Sequence, residues 1–282
     1  MMSSADITIV VTSFNSDQII QNCLSSIDRK YNVILVENSH REDFKKKIEE
    51  EYSNIRCILT GSNLGYGKAN NIGLKNVKSK YALILNPDAS LQETTIDNFF
   101  KTINEIPDFA IMGPYIQEEN NKVHEINLNN NKPKEVMNVK GFGMFLNLKE
   151  FKEIGFFDEN FFIYFEEIDL CKRLINNKKK IYLVPGIKIN HSGGQSHNTD
   201  INTEMELSRN WHWMWSTFYY HKKYKGFFIS FLIILPKLVS SIFKTFFYIL
   251  TLNKKKKDIY YQRSSGLINS IIGNHSSYRP KV

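Results

Sequence analysis

Three segments of this sequence carry residues whose types and spacing could do chemistry. The first is Asn86-Pro87-Asp88, which directly follows an apolar run. A carboxylate at the end of a strand can hold a divalent cation, and that cation can neutralise a diphosphate leaving group. The same residues are good turn formers, so a plain turn is the alternative interpretation.

The second segment is glycine-rich and runs from Asn63 to Gly73. Glycines let the backbone approach a ligand closely, the N-terminus of a following helix attracts anions, and Lys68 could contact a phosphate. The spacing matches neither the GxxxxGK[ST] phosphate loop nor the GxGxxG dinucleotide fingerprint. A structural connector is therefore the alternative.

The third segment is an aromatic block that runs directly into Glu166, Glu167 and Asp169 at the predicted start of a helix. The helix dipole favours ionised carboxylates there. Helical spacing places Glu166, Asp169 and Arg173 on one face and Glu167 about 100° away. We predict that Asp169 and Arg173 form a structural pair, which leaves Glu167 free for proton transfer. An ordinary acidic helix start is the alternative.

One further candidate is His191, which follows the apolar run at 181–184. A lone histidine is more often structural than a ligand. This one could complete a metal site with Asp88 if the fold brings the two side chains together.

The elements that must position these residues alternate between strands and helices. We predict strands at 7–11, 32–36, 55–59 and 81–85 and helices at 17–27, 42–52 and 70–77. Because each strand is uniformly apolar, the pattern indicates an α/β fold with a parallel sheet covered on both faces. Polar loops follow the strands at 12–15, 37–39, 61–67 and 86–88, and in such sheets ligands bind beyond these carboxyl ends. The Asn-rich stretch at 117–133 is interpreted as a mobile surface loop.

Composition excludes several classes. The chain has 282 residues, of which 42% are hydrophobic and 13% aromatic, so disordered, collagen-like and coiled-coil chains are excluded. The three cysteines are far apart, which favours a reducing compartment and argues against a zinc site or a disulfide scaffold. The N-terminus lacks the features of a signal peptide, so we expect a cytoplasmic body.

The net charge of +8 is concentrated at one end of the chain. Residues 1–225 carry equal numbers of basic and acidic side chains, whereas residues 226–282 carry nine basic side chains and one acidic. A neutral body with a basic, apolar tail fits a membrane surface better than a nucleic-acid groove. We therefore expect no nucleic-acid partner.

The apolar stretch at 226–252 is interrupted by Pro236, Lys237 and Lys244. These interruptions make a spanning helix marginal, so we predict a broken helix in the membrane interface with its lysines reaching the headgroups. The four lysines at 254–257 would add about 1 kcal/mol each on anionic lipid. A helical subdomain packed on the catalytic body or on a second subunit is the alternative.

Taken in order, the segments resemble those of the inverting family 2 glycosyltransferases, most closely their rhamnosyltransferase-like branch. The resemblance covers about residues 6–225. Its motifs are VVTSFNS (10–16), VENS (36–39), NLGYGKANNIGL (63–74), LNPDA (85–89), GFGMFL (141–146), FFDENFFIYFEEIDLCKRL (156–174) and the late His191. Each motif is weak alone, but seven in this order are a strong signal.

This resemblance implies a GT-A fold with a Rossmann-like, mostly parallel sheet and a nucleotide-diphosphate sugar donor. The residues implied at the base and ribose are Thr12, Phe14, Asn15 and Glu37, and those implied near the diphosphate are Asn63, Gly65, Lys68, Asn71, Asn86 and Asp88. It also implies a divalent metal, Mg²⁺ or Mn²⁺, on Asp88 and His191. Glu167 matches the family's catalytic base, and Gly143, Glu166 and Asp169 are implied at the acceptor.

Three residues depart from the family pattern. Glu37 replaces the more usual Asp at the base, Asn86 replaces the first Asp of the DxD metal element, and Glu166-Glu167 replaces Glu-Asp. The carboxylate at position 37 is thus moved by a methylene, and metal coordination rests more heavily on Asp88.

We therefore expect a catalytic domain at 1–225 and a membrane-associating helical tail at 226–282. The expected function is transfer of a sugar, with dTDP-rhamnose as the expected donor, to a lipid-linked saccharide acceptor in surface polysaccharide synthesis. The protein would lie on the inner face of the cytoplasmic membrane, with a homo-oligomer as an open alternative. Alternatives are a galactosyl, glucosyl or N-acetylhexosaminyl transferase, or an inactive nucleotide-sugar-binding membrane subunit.

Overall fold

The computed structural model describes residues 2–115, 132–191 and 201–280, so almost all of the loop predicted at 117–133 lies outside the described residues. The chain forms two compact units. One contains Met1–Phe157 and Leu170–Asn198, and the other contains Asp158–Asp169 and Thr199–Val282. We call them the α/β unit and the helical unit.

The strands are β1 (Ile7–Ser13), β2 (Asn32–Glu37), β3 (Ile55–Leu59), β4 (Tyr81–Leu85), β5 (Ala89–Leu91), β6 (Ile111–Tyr115), β7 (Lys134–Glu135), β8 (Gly143–Asn147) and β9 (Ile181–His191). Five helices accompany them in chain order. These are α1 (Ile20–Ser25), α2 (Glu42–Glu51), α3 (Tyr66–Lys75), α4 (Thr95–Glu105) and α5 (Glu166–Asn176), the last of which begins in the helical unit. Short 3₁₀ turns cover Ser4–Asp6 and Leu148–Phe151.

The strands form one mixed sheet in the order β3-β2-β1-β4-β8-β6-β9-β5, with β7 paired to β9. The four N-terminal strands run parallel to one another, as the sequence predicts. Beyond β4 the sheet changes, because β8 is antiparallel to both β4 and β6. The carboxyl ends of β1, β2, β3 and β4 consequently share one edge, where the polar loops begin.

Uniformly apolar strands arise here because both faces of the sheet are buried. Along β1, Ile9 and Val11 join the larger core, whereas Val10 points to the opposite face and packs with Leu74 and Ile84. Stacked aromatic rings fill the larger core, with the rings of Phe99 and Phe145 only 4.5 Å apart. Such rings bury large apolar areas and dominate core energetics.

The helical unit contains α6 (Asn202–Lys225), α7 (Phe227–Leu250) and α8 (Lys254–Ile271). Its small core is formed by Met214 and Phe218 of α6, Ile234 of α7 and Leu267 of α8. The buried His212 of α6 also ties down the end of the chain, because its ring nitrogens bond Ser276 Oγ and the Tyr278 carbonyl. Burial lowers the pKa of His212 to about 3, so its ring is neutral at physiological pH.

The prediction of a broken helix in the tail is wrong, since α7 runs without interruption through Pro236. Proline removes one backbone N–H and crowds the preceding turn. That local cost is offset here because the rest of α7 is strongly apolar and packs through Ile234 and Ser241. Of the described helices, α7 is the one long and apolar enough to cross a membrane, with a mean hydropathy of 1.8, by length and composition only.

A glycine sets the distance between α6 and α8. A Cβ built at Gly266 would lie 2.2 Å from the carbonyl oxygen of Trp211, and that oxygen belongs to a helix backbone that cannot rotate away. We expect Gly266→Ala to destabilise the helical unit by about 1–3 kcal/mol, because overpacking outweighs the better helix propensity of alanine. Urea unfolding followed by circular dichroism measures this loss.

The matched control for this change is Gln262→Ala, which lies on α8 and is only half-buried. It should leave the unfolding midpoint nearly unchanged. Equal stability of Gly266→Ala and wild type would show that the two helices can separate without cost.

Candidate active site

The carboxylate of Glu37 is held at the end of β2 by two serine hydroxyls. Ser13 Oγ donates to Glu37 Oε2 from the neighbouring strand, and Ser39 Oγ donates to Oε1 at 2.7 Å. Burial raises the pKa of Glu37, although both hydrogen bonds counteract that effect. The arrangement offers a fixed hydrogen-bond acceptor at the carboxyl edge of the sheet.

Asn38 connects this strand end to the glycine-rich segment. Its Nδ2 donates to Asn63 Oδ1 at 3.0 Å and to the Gly65 carbonyl at 3.3 Å, while its Oδ1 accepts from the Leu64 backbone at 2.9 Å. The sequence interpretation did not assign a role to Asn38, although it lies within the VENS motif. Two predicted donor-binding residues, Asn63 and Gly65, therefore lie in a loop shaped by Asn38.

Helix α3 begins directly after this loop. Gly65 adopts a φ of 86°, a left-handed conformation that glycine tolerates at no steric cost. Lys68 lies in the first helical turn and is half-buried. Asn71 makes a two-way contact with the Phe157 backbone, donating to its carbonyl at 2.9 Å and accepting from its N–H at 3.0 Å. In this structure Asn71 fixes the chain before the acidic segment.

Thr12 lies near the carboxyl end of β1, and Asn15 lies in the loop that follows this strand. Asn15 adopts a φ of 48°, which ends the extended strand, and the Phe14 backbone donates to Ser16 Oγ. Thr12 Oγ1 is buried and has no hydrogen-bond partner among the described residues. A buried hydroxyl without a partner is costly in a folded chain unless a ligand or water satisfies it.

Asp88 follows β4 and is brought to His191 at the end of β9. The two residues belong to the β5–β9 pairing region, and Asp88 Oδ1 lies 3.4 Å from His191 Nε2. The imidazole stacks on Phe142, with ring centroids 4.3 Å apart, which fixes its orientation. The fold thus brings together two residues that are 103 positions apart, which is the condition on which the predicted metal site depends.

The donor atoms around Asp88 fit a divalent cation. Asp88 Oδ1 and Asn86 Oδ1 are both buried without a hydrogen bond to any described residue. Two ligand atoms about 2.1 Å from one ion lie about 3 Å apart, close to the Asp88–His191 separation. Within the described ranges, no third histidine, cysteine, aspartate or glutamate completes the set. Further ligands would therefore have to come from water or from a bound diphosphate.

Cys23 lies next to Asn86, and its thiol is expected to be unreactive. Its thiol contacts the Asn86 carbonyl at 3.5 Å and is buried. Burial, with a smaller contribution from the Asp88 charge, raises the pKa of Cys23 to about 12. The cysteine is thus a packing residue rather than a thiolate ligand.

The acidic segment opens α5 in the helical unit. Tyr164 and Phe165 have φ values of 72° and 71°, a left-handed conformation that bulky side chains rarely adopt. Their rings pack on Trp213 with centroid distances of 5.2 and 5.4 Å. Two strained residues immediately before Glu166 and Glu167 are typical of a functional segment.

The two glutamates occupy different environments. Glu167 is half-buried, whereas Glu166 is 4% exposed and its Oε2 has no hydrogen-bond partner in the described chain. Burial, reinforced by the nearby charge of Glu167, raises the pKa of Glu166 well above its ordinary value. A raised pKa favours the protonated form of Glu166, so this carboxyl is a poor proton acceptor.

Asp169 is enclosed by α6. Lys223 Nζ lies 2.6 Å from Asp169 Oδ1, and Tyr224 Oη donates to the same oxygen at 2.7 Å. Lys223 also bonds Asp158 at 2.7 Å, so one ammonium group joins both ends of the segment 158–169. Although burial alone would raise it, hydrogen bonds from Lys223 and Asn160 lower the pKa of Asp158.

The predicted partner of Asp169, Arg173, donates to the backbone carbonyls of Ile154 and Phe156 in the α/β unit. The sequence interpretation missed Lys223 and Tyr224 because they lie more than fifty residues further along the chain. Gly143, predicted at the acceptor, is buried at the start of β8, where a Cβ would meet Ile189 at 3.0 Å. A side chain at this position would crowd Ile189, and the place of Gly143 at the acceptor stays a prediction.

The pKa of Glu166 leads to a prediction on stability. Because the folded-state pKa is raised, the contribution of Glu166 is fully present below the unfolded pKa and is lost as pH rises through the folded one. Glutamine does not titrate, so we expect the stability of Glu166→Gln relative to wild type to increase by about 1–3 kcal/mol between about pH 5 and about pH 8. Urea unfolding at both pH values measures the difference.

The exposed Glu153 supplies the control for this experiment. Glu153→Gln should show the same stability difference from wild type at both pH values. A constant difference for Glu166→Gln as well would show that its carboxyl keeps an ordinary pKa in the folded protein.

The mixed α/β sheet with its polar, carboxylate-bearing edge has the architecture of the GT-A fold found in glycosyltransferases. The sequence pattern described as Glycosyl transferase family 2 matches residues 8–171, which is more than half of the chain. The chain belongs to this family, and the predicted family and fold are confirmed.

The chain is similar to two named relatives. It is 27% identical over 190 residues to the low-salt glycan biosynthesis hexosyltransferase Agl10 of Haloferax volcanii, covering 60% of this chain and 61% of that protein. It is 21% identical over 238 residues to N-acetylglucosaminyl-diphospho-decaprenol L-rhamnosyltransferase of Mycobacterium tuberculosis, covering 68% and 78% respectively. The chain thus spans about three fifths of the hexosyltransferase it matches.

Among solved structures, the fold is similar to the mannosyltransferase PcManGT of Pyrobaculum calidifontis in complex with GDP-Man and Mn²⁺. The TM-score is 0.56 at 10% sequence identity, and the match covers 94% of this chain and 87% of that one. At this identity the likeness concerns the fold alone.

Proposed function

We propose that this protein is an inverting glycosyltransferase that moves a sugar from a nucleotide-diphosphate sugar to a lipid-linked saccharide acceptor in surface polysaccharide synthesis. The observation that carries the proposal is the placement of Asp88 Oδ1, which is buried, has no hydrogen bond from the described residues and lies 3.4 Å from His191 Nε2. This pair lies at the strand edge that also holds Glu37. The edge therefore offers separate recognition elements for a nucleoside and for a metal-bound diphosphate.

In this proposal Glu37 and the loop ordered by Asn38 bind the base and ribose of the donor. Asp88 and His191 hold the divalent metal, Mg²⁺ or Mn²⁺, which when bound supplies positive charge that neutralises the diphosphate leaving group. Thr12 Oγ1 and Asn86 Oδ1 are the buried polar atoms that donor binding would satisfy. The Mn²⁺ in the named mannosyltransferase structure supports this choice of metals.

The reaction itself needs one proton acceptor. Glu167 takes the proton of an acceptor hydroxyl as the oxygen of that hydroxyl attacks the anomeric carbon, and the bond to the diphosphate breaks on the opposite side. The configuration of the anomeric carbon is inverted, and the nucleoside diphosphate leaves with the bonding electrons. Glu166 is the poorer candidate because it is buried and because its raised pKa favours the protonated form, which accepts no proton.

Rhamnose, supplied as dTDP-rhamnose, is the proposed sugar. The name of the mycobacterial relative supports it, and that name also includes a diphospho-decaprenol acceptor. The hexosyltransferase name of the archaeal relative keeps other hexoses as the second candidate. The lipid acceptor and a location on the inner face of the cytoplasmic membrane are supported by the exposed apolar residues of α7.

A thermal-shift screen tests the donor half of this proposal. The full chain is heated with UDP, GDP, CMP, dTDP and their sugars, each with and without Mn²⁺ or Mg²⁺. Ligands that bind the folded state raise the melting temperature, so we expect a metal-dependent increase with one nucleotide class, dTDP. No shift with any of them would contradict the proposed donor site, and a shift with another nucleotide would exclude dTDP-rhamnose.

A further inference from the structure

The helical unit contains a cleft of about 240 Å³ lined by α6, α7 and α8. Its polar lining includes Lys237 and Lys244 of α7 and Arg263 of α8, together with Ser240, Ser241 and Tyr260. We call this site the cationic cleft. Its three basic side chains converge from two helices that are adjacent in sequence but run in opposite directions through a short turn at 251–253.

The charge in the cationic cleft is not balanced by the protein. No aspartate or glutamate lines it, and in the described part of the chain none of the three cations has an ion pair. Lys244 lies over the Tyr260 ring at 4.9 Å, and Arg263 Nε donates to Asn210 Oδ1 at 2.7 Å. These contacts hold the side chains in place, but they leave their positive charge available.

The two lysines of α7 lie on the side of the helix that lines the cleft, where Lys237 is exposed and Lys244 is half-buried. Lys237, Ser240, Ser241 and Lys244 follow an i, i+3, i+4, i+7 pattern and share the face that turns toward α6 and α8. At about 100° per residue, the opposite face carries an apolar stripe. Its most exposed members are Phe228, Leu232, Val239, Phe243, Phe246 and Leu250, each more than half exposed.

A helix whose outer face is apolar and whose lysines line a cleft with the neighbouring helices suits contact with lipid. Charged residues at membrane depth face the protein interior or a cavity, where they pair with an opposite charge and mark binding sites. Among the residues that the structure describes, none with a negative charge lines this cleft. An anionic group that carries its own apolar chain would satisfy both the cations and the outward stripe.

The cationic cleft is also connected to the acidic segment inside the same unit. Trp213 lines the cleft and packs on the rings of Tyr164 and Phe165, which immediately precede Glu166 and Glu167. One side chain thus separates the cations from the strained backbone that presents the proposed base. A ligand anchored in the cleft lies next to the segment that receives an acceptor hydroxyl.

We infer that the cationic cleft binds the phosphate group of the acceptor lipid, a polyprenyl phosphate or diphosphate. This assignment rests on the proposed function, because it names the part of the acceptor that the helical unit recognises. Arg263 offers the planar donor set that suits phosphate oxygens, and the two lysines add point charges. Ser240 and Tyr260 supply hydroxyl donors at the same cleft.

Flotation with phospholipid vesicles tests the assignment. The full chain is mixed with phosphatidylcholine vesicles that carry either a polyprenyl diphosphate or phosphatidylserine at matched surface charge. We expect wild type to bind the diphosphate vesicles about tenfold better than the serine vesicles, because hydrogen bonds to charged groups add to general attraction. Lys237→Gln/Lys244→Gln should bring that ratio close to one.

Two variants make the comparison specific. Lys254→Gln/Lys255→Gln removes the same charge from the exposed start of α8, so it should weaken binding to both vesicles and leave the ratio unchanged. Lys237→Arg/Lys244→Arg keeps the charge and should restore the preference, which excludes loss through misfolding. If the α7 and α8 glutamine variants lower the ratio equally, the preference is a property of the whole basic surface and the assignment is wrong.

The phosphate that the cationic cleft binds could also belong to a soluble anion rather than to a lipid. If inorganic pyrophosphate raises the melting temperature through Lys237 and Lys244 while the vesicles show no preference, the cleft binds a soluble ligand and the lipid assignment is overturned. The nucleotide thermal shift is measured on the same variants. A preserved vesicle preference without any donor shift would reject the proposed transferase function, whereas a donor shift without vesicle preference would reject only the cleft.

Discussion

Glu167→Gln is expected to lower the rate of sugar transfer by about 10²–10⁴, the usual contribution of a general base. Glutamine has nearly the same shape as glutamate but cannot accept the proton of the attacking hydroxyl. Glu167 is half-buried at the start of α5, so the substitution should not disturb a core. The expected loss is in kcat, measured with saturating donor and acceptor, and the nucleotide thermal shift should remain as in wild type.

Glu159→Gln supplies the matched control, since it removes an exposed carboxylate from the same segment. It should keep full activity. If Glu167→Gln transferred sugar at the wild-type rate, another group would have to accept the proton. A wild-type protein that binds nucleotide normally but transfers no sugar to any acceptor would instead favour the inactive membrane subunit.

Asp88→Asn is expected to remove the metal-dependent part of nucleotide binding and to lower transfer by about 100-fold or more, because metal sites lose most of their affinity without a charged ligand. The neutral amide keeps the size of the side chain but not its charge. Titration of Mn²⁺ in the presence of the nucleotide, followed by the melting temperature, measures the effect. His191→Ala should weaken the same titration less, since the carboxylate remains.

Asp108→Asn is the control, because Asp108 lies in the same unit, is 77% exposed and forms a surface ion pair with Lys180. Its Mn²⁺ titration should match that of wild type. Unchanged metal dependence in Asp88→Asn would place the cation elsewhere or make the reaction metal-independent.

The parallel half of the sheet could be predicted because its signal is local. Each of the strands β1 to β4 is a short apolar run followed by a polar loop, and both features are visible in a window of ten residues. The sequence analysis proposed that Asp88 and His191 share a site only if the fold brings them together, and the structure places them 3.4 Å apart. The order of the family motifs indicated such a fold, whereas spacing alone does not show which strands become neighbours.

The remaining contacts depend on distant packing. Lys223 reaches Asp158 and Asp169 only because α6 returns to the segment before α5, and no local pattern indicates that return. The position of the α7 lysines at a cleft was not predicted, for a similar reason. Its lysines interrupt an apolar run in the sequence, whereas in the structure they face a cleft made with neighbouring helices.

The segment Asp158–Asp169 belongs to the helical unit although it lies within the matched family region. The rings of Phe161 and Phe162 pack on Tyr219 and His212 of α6. A protein shortened before α6 would therefore retain the sequence of its proposed base but lose the scaffold that shapes it. The C-terminal helices and the segment Asp158–Asp169 are therefore one structural unit, and an experiment that exchanges these helices with those of a relative has to exchange the segment with them.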